Sequence, residues 1–258
     1  MGGMLGDVLS ILLLCLVLAQ FVALYLIYQR LSGAIVRAGA AQAAQADNTI
    51  LQIESLLALY AEIRPEHGLP PMRGWAASPD FLRTLAARIV DSAPETVVEC
   101  SSGVSTLVAA ACLRRAGRGR VLSLEHDPVY AEKTRRLLRT HGLEAHAEVI
   151  DAPLVELALP GWQGQWYDVS RLPAGLSIDL LVVDGPPWFS AELARYPAFP
   201  VLRDRLAPAA RLLLDDADRV DERTIVERWL AAAPALTRRD APACEKGCAL
   251  LAWRDGAA

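Results

Sequence analysis

The chain has 258 residues, 53% of them hydrophobic, with 30 acidic against 26 basic side chains and a net charge of −4. That is material for one ordinary domain with its own core plus an appendage. The acidic balance argues against a basic surface for nucleic acid, and five scattered cysteines without a paired C-x-x-C set argue against structural zinc. Only Lys133 and Lys246 are lysines; with so much alanine, the arginine excess reads as a GC-rich genome rather than as phosphate binding. An odd, dispersed cysteine count suits a reducing compartment. Cys244 and Cys248 bracket Glu-Lys-Gly and are expected to face each other loosely across a turn, a redox pair being the other reading.

From Val8 to Tyr28 the chain reads VLSILLLCLVLAQFVALYLIY, with no charge between Asp7 and Arg30. A helix of this length spans roughly 30 Å, the thickness of a bilayer core. A buried helix of a soluble domain is a further reading, and the run's being apolar on all faces argues against it. A cleaved signal peptide is the rival, but it wants a positive n-region and a shorter apolar stretch, and no Lys or Arg precedes this run. Arg30 and Arg37 follow the span, so the positive-inside rule puts the remainder in the cytoplasm. The expected organisation is a transmembrane anchor over 1–30 with residues 8–28 in the membrane, a helical stalk over 31–66, and a globular domain over 67–258. In the stalk, Ala43, Ala46, Ile50, Ile53, Leu57 and Tyr60 recur at 3–4 spacing, too briefly for a coiled coil. Packing against the domain, or self-association into a homo-oligomer, would cover that row.

Beyond residue 66 strands and helices alternate. Ser78 is placed as an N-cap with Pro79 in the first helical position, and the helix continues over Phe81–Val90. Strands are expected at Thr96–Val98, Val121–Leu124, Ala145–Ile150, Ile178–Val183 and Arg211–Leu214. Helices are expected at Ser105–Ala116, at Pro128–Thr140 behind an Asp127 cap, in part of Ala191–Leu206, and at Asp221–Ala233. The closing stretch ALTRRDAPACEKGCALLAWR reads as two strands around a turn. Fully apolar strands alternating with helices predict an α/β fold, a doubly wound and mostly parallel sheet covered on both faces. Ligands of such sheets bind beyond the carboxyl ends of the strands. Each strand assigned as parallel ends in, or runs into, an acid: Glu99, Glu125, Asp151, Asp184, and Asp215 with Asp216.

VVECSSGVST, LSLEHD, VIDAPL and LLVVDGPP resemble, in order, the motifs of the class I S-adenosylmethionine-dependent methyltransferases, over Trp75 to Arg254. The resemblance implies a Rossmann-like methyltransferase domain. It also implies that Glu99 organises the amino-acid end of S-adenosylmethionine, and that backbone from Ser101 and Ser102 to Gly103 approaches that end, with Ser105 and Thr106 opening the next helix. Glu125, 22 residues after Gly103, would accept the ribose hydroxyls. His126 would flank the adenosine pocket, Asp151 would sit near the adenine amine, and Asp184 would face methyl transfer. A sulfonium, an ammonium and vicinal hydroxyls all suit carboxylates at strand ends, and a small-residue turn lets backbone come near. The turn departs from the pattern at Ser101 and Ser105, where glycine is frequent.

LLLDDADR adds two adjacent acids. Asp184, Asp215 and Asp216 at neighbouring strand tips would suit one hard divalent ion, as in the magnesium-dependent O-methyltransferases that this stretch resembles; there the metal lowers the acceptor's pKa. Without metal, Asp184 and Asp215 are the candidate catalytic acids. Trp75, Trp162, Trp166, Tyr167, Trp188, Phe189 and Tyr196 stand either around an acceptor pocket or in the core. The function expected is methyl transfer to oxygen of a small-molecule or membrane-associated acceptor. A catalytically inactive, membrane-tethered scaffold is the alternative, with a nucleotide-binding oxidoreductase behind it.

Overall fold

The computed structural model describes residues 2–72 and 74–254. They fall into two compact units, Met1–Leu51 and Gln52–Ala258. Helix α1, Gly2–Ile63, supplies the first. Among the described residues it is the one helix long and apolar enough to cross a membrane. Its mean hydropathy is 2.6 over 18 residues, and none of that window is buried.

In the second unit, apolar runs form a seven-stranded sheet in the order β3-β2-β1-β6-β7-β9-β8. These strands are β1 Thr96–Cys100, β2 Arg120–Glu125, β3 Ala147–Asp151, β6 Ile178–Val183, β7 Leu206–Asp215, β8 Leu236–Arg239 and β9 Cys248–Trp253. The first five run parallel, and β9 is antiparallel to both β7 and β8. Helices α2 Pro79–Ser92, α3 Val104–Ala116, α4 Pro128–Thr140, α5 Ala198–Leu202 and α6 Val220–Ala232 complete it. The chain runs outward from β1 to β3 and then returns to β6 on the other side of β1, so a crevice opens between β1 and β6.

Side-chain alternation along the strands feeds two cores. Val98, Leu122, Leu181 and Leu212 face one containing Trp166, Phe199 and Trp229. Val97, Val121, Leu180 and Leu213 face the other, with Phe81, Ile89, Leu107 and Leu113. Glu99, Glu125, Asp151 and Asp215 share parity with the second set, so these acids emerge on the α2–α4 side.

The element order agrees with the sequence reading, with three differences. First, the stretch before β6 is a hairpin of β4 Leu154–Leu159 and β5 Trp162–Tyr167, paired as a second, two-stranded sheet. Pro160-Gly161 makes its turn, and Trp162 and Trp166 go into the core. Second, only Ala198–Leu202 is α-helical within 191–206. Third, in the last turns of α1 the apolar row is not the buried one. Ile53 and Leu57 are exposed, whereas Gln52, Ser55, Leu59 and Ile63 are buried. Polar pairing selects that face: the Gln52 amide donates to Asp80 Oδ2 at 2.8 Å.

Ser78 stands at the N-cap of α2, but its hydroxyl makes no cap bond and goes to Asp80 instead. Asp127 does cap α4, accepting from the Val129 and Tyr130 amides. The 244–248 turn is tighter than expected. Its cysteines are buried with sulfurs 2.8 Å apart. Its Lys246 and Gly247 carbonyls accept from the Asp218 and Ala217 amides of the loop after β7.

Candidate functional site

A cavity of about 420 Å³ opens at the carboxyl ends of β1, β2, β6 and β7. Its floor is the β1–α3 turn. Ser101 has φ +125° and Gly103 has φ +153°. The Gly103 amide donates to Thr106 Oγ1 at 3.0 Å, and that hydroxyl donates to Glu99 Oε2 at 2.6 Å. The neighbouring Ser123 hydroxyl donates to the same oxygen at 2.7 Å. Burial pushes the Glu99 carboxyl above its ordinary value, and the Ser105, Thr106 and Ser123 hydroxyls oppose that rise. Glu99 and Thr106 therefore brace the turn from behind and do not line the cavity. Ser101, Ser102, Gly103 and Ser105 do line it.

Serine at Ser101 occupies a conformation that glycine adopts without steric cost. Such strain costs on the order of 1 kcal/mol. Ser101→Gly is expected to raise the thermal midpoint by about 2–4 °C. An unchanged or lower midpoint would show that the turn carries no strain at this residue.

Glu125 ends β2 on the cavity wall and is held from two sides. Its Oε2 accepts from the Ser102 hydroxyl at 2.8 Å, and its Oε1 accepts from the Asp127 amide at 3.0 Å. His126 Nδ1 lies 3.1 Å from Oε1, and the His126 ring meets Tyr167 edge-on at 6.0 Å. Both rings line the cavity; burial raises the Tyr167 phenol well above its ordinary value. Asp151 does not reach the cavity. On the outermost parallel strand it pairs with Arg135 of α4 at 2.8 Å and remains largely exposed.

The far wall holds the acids after β6 and β7. One carboxylate oxygen from each of Asp184, Asp215 and Asp216 falls within 4.8 Å of the others. Burial raises Asp184 to about 7, against the attraction of Arg195. Burial, then the charges of Asp184 and Asp216, raise Asp215 well above its ordinary value.

Sequence reasoning missed the buried Arg195. Its Nη2 donates to Asp216 Oδ2 at 2.8 Å and to Asp184 Oδ1 at 3.2 Å, and its Nη1 donates to the Asp215 carbonyl at 2.9 Å. Burial alone would lower the guanidinium's pKa, but Asp184, Asp216 and Glu222 hold it above the ordinary value. The expected magnesium set is therefore already bridged by a fixed cation. A divalent ion binding Asp184 and Asp216 at roughly 2.0–2.6 Å would compete with that guanidinium for the same oxygens, so the residues as arranged do not fit it. The one sequence signal was a charge inside the otherwise apolar stretch LARYPAF, residues 193–199.

Trp75, Trp188 and Phe189 form the mouth, joined by edge-on contacts at 5.9 Å and all largely exposed. Tyr196 does not line the cavity; it packs against the first core.

Residues 98–217 match the family model described as a methyltransferase domain. No curated protein matches the chain. Among solved structures, the SAH-bound Podospora anserina methyltransferase PaMTH1 is 16% identical, with TM-score 0.54 over 78% of this chain and 88% of its own. The O-methyltransferase TomG of Streptomyces achromogenes, solved with SAM, is 16% identical, with TM-score 0.53 over 79% of this chain and 89% of its own. The SAH-complexed O-methyltransferase of Bacillus cereus is 16% identical, with TM-score 0.51 over 79% and 90% respectively. At these identities the likeness is one of fold. The family match is to a methyltransferase domain, and the fold is the one these methyltransferases share.

Proposed function

We propose that the chain is an S-adenosylmethionine-dependent methyltransferase that transfers to oxygen and is anchored in a membrane by residues 8–28. The observation carrying the cofactor reading is Glu125, a carboxylate fixed between a hydroxyl and an amide on the cavity wall, facing the small-residue turn. The residues fit the cofactor. Glu125 would hold the ribose hydroxyls, backbone from Ser101 to Gly103 the amino-acid end, and His126 would flank the adenosine. The bound cofactor supplies an electrophilic methyl group. Asp184 and Asp215 line the opposite wall, where the acceptor's proton would be taken, and Arg195 fixes the orientation of Asp184. Catalysis would then consist largely of positioning and electrostatics.

Calorimetry of the full chain in detergent with S-adenosylmethionine tests this reading, and one site per chain is expected. Absence of binding at millimolar cofactor would remove the enzyme reading and leave the scaffold.

The membrane anchor rests on the exposed apolar helix, and the cytoplasmic placement of the domain on Arg30 and Arg37. The chain should stay in the membrane after carbonate washing, and protease added to intact cells should spare it. The exposed row Ile50, Ile53 and Leu57 is proposed to pair with a second copy; a monomeric mass by light scattering in detergent would refute that pairing.

A further inference from the structure

Four acids, Asp184, Asp215, Asp216 and Glu222, gather around Arg195, whose side chain is 6% exposed. No single acid is its obvious partner. The guanidinium reaches Asp216 and Asp184 through one nitrogen and the Asp215 carbonyl through another. Glu222 Oε1 lies 3.7 Å from Nε, and Arg219 approaches Asp216 from the half-exposed side at 3.1 Å. Backbone geometry keeps the acids turned inward. Asp216 has φ +59°, and its amide donates to Asp215 Oδ1 at 2.8 Å. Asp216 Oδ1 is buried without a hydrogen-bond partner. Three carboxylates at ion-sharing spacing thus surround a fixed organic cation, with a spare oxygen beside it.

We propose that Arg195 is the built-in cation of this site, holding the place that a divalent ion would take among Asp184, Asp215 and Asp216, so that the chain binds no such ion there. The proposal rests on the methyltransferase reading for its functional meaning: Arg195 is then the positioning residue that orients Asp184 toward the acceptor, where a metal would otherwise polarise the acceptor oxygen. The electrostatics are independent of that reading. A guanidinium is charged at every physiological pH, and its planar fork can serve several acceptors at once. Removing it leaves the buried carboxylates with only the half-exposed Arg219 in contact, at Asp216 and Glu222, and a hard dication answers that deficit.

The experiment is a titration of the full chain in detergent with Mn²⁺, read by loss of the free-ion electron paramagnetic resonance signal, without cofactor. The wild type is expected to bind no ion at this site. Arg195→Ala, and Arg195→Met to keep the side-chain volume, are expected to bind one ion per chain, at least about tenfold tighter than the weakest binding the titration could detect in the wild type. Adding Asp216→Asn to either should abolish that gain. One ion bound by the wild type and lost in Asp216→Asn would overturn the proposal, and so would folded Arg195 variants that bind none. The wild-type titration needs no variant, so a failure of both variants to fold still leaves the proposal open to refutation. Cofactor calorimetry on the same samples separates the two readings: loss of cofactor binding counts against the methyltransferase and leaves the ion count unchanged.

Discussion

Glu125→Ala is expected to weaken binding of S-adenosylmethionine by about 10–100-fold, corresponding to charge-assisted hydrogen bonds worth roughly 1.5–3 kcal/mol. The side chain stands on the cavity wall, and in the proposed role its loss would remove the acceptor for the ribose hydroxyls. It also frees the Ser102 hydroxyl and the Asp127 amide, which Glu125 now occupies. Ser102 retains Thr134 at 3.0 Å and Asp127 retains its cap, so the local fold should survive. Calorimetry and thermal unfolding together check this. An affinity within about twofold of wild type would take the ribose role from Glu125. Asp151→Ala is the built-in contrast: that acid is committed to Arg135 outside the cavity, and its loss should leave the affinity unchanged.

The second large effect is expected at Gly185. A Cβ there would lie 2.5 Å from Tyr167 Oη, 3.0 Å from the Cys100 carbonyl and 3.1 Å from Ser101 Cβ. The carbonyl belongs to β1, which cannot move aside without disturbing the sheet. Gly185→Ala should therefore cost about 1–3 kcal/mol of stability. It should also weaken the cofactor, because Ser101 sits in the turn and Tyr167 lines the cavity. Tyr167→Phe in the same chain removes the nearest atom and should recover part of the stability; the backbone clash would remain. Thermal unfolding of the two single variants and the double variant yields the coupling. A Gly185→Ala midpoint equal to wild type would show that the β1–β6 crevice is looser than these distances imply.

Much of the fold was legible because one signal repeats. Four-to-six-residue apolar runs followed by helical periods leave few alternatives to a parallel sheet, and each run announced its end with an acid. Parity did the rest, since Glu99, Glu125, Asp151 and Asp215 leave the sheet on one side. The same reasoning could not tell which acids reach the cavity. Glu99 lies one residue short of the strand end, beneath α3. Asp151 is taken by Arg135, placed there by a helix sixteen positions earlier. The hairpin was hidden by its tryptophans. Trp166 and Tyr167 are adjacent and both buried in the first core, and Tyr167 lines the cavity as well, so no simple alternation marks the strand. Arg195 was the least legible, because its partners come from separate segments and only the folded chain unites them.

The guanidinium among the acids has an evolutionary consequence. Asp184, Asp215 and Asp216 keep their mutual spacing through the sheet and the strand-end loops, while Arg195 comes from a connecting segment outside any strand. A lineage could exchange that arginine for a small neutral residue without rebuilding the scaffold, and a metal-dependent descendant would then be one codon away. The reverse step is just as short. On this scaffold the choice between a mineral and an organic cation would be a late and reversible decision, open to change with the metal supply of the habitat rather than fixed by the ancestry of the fold.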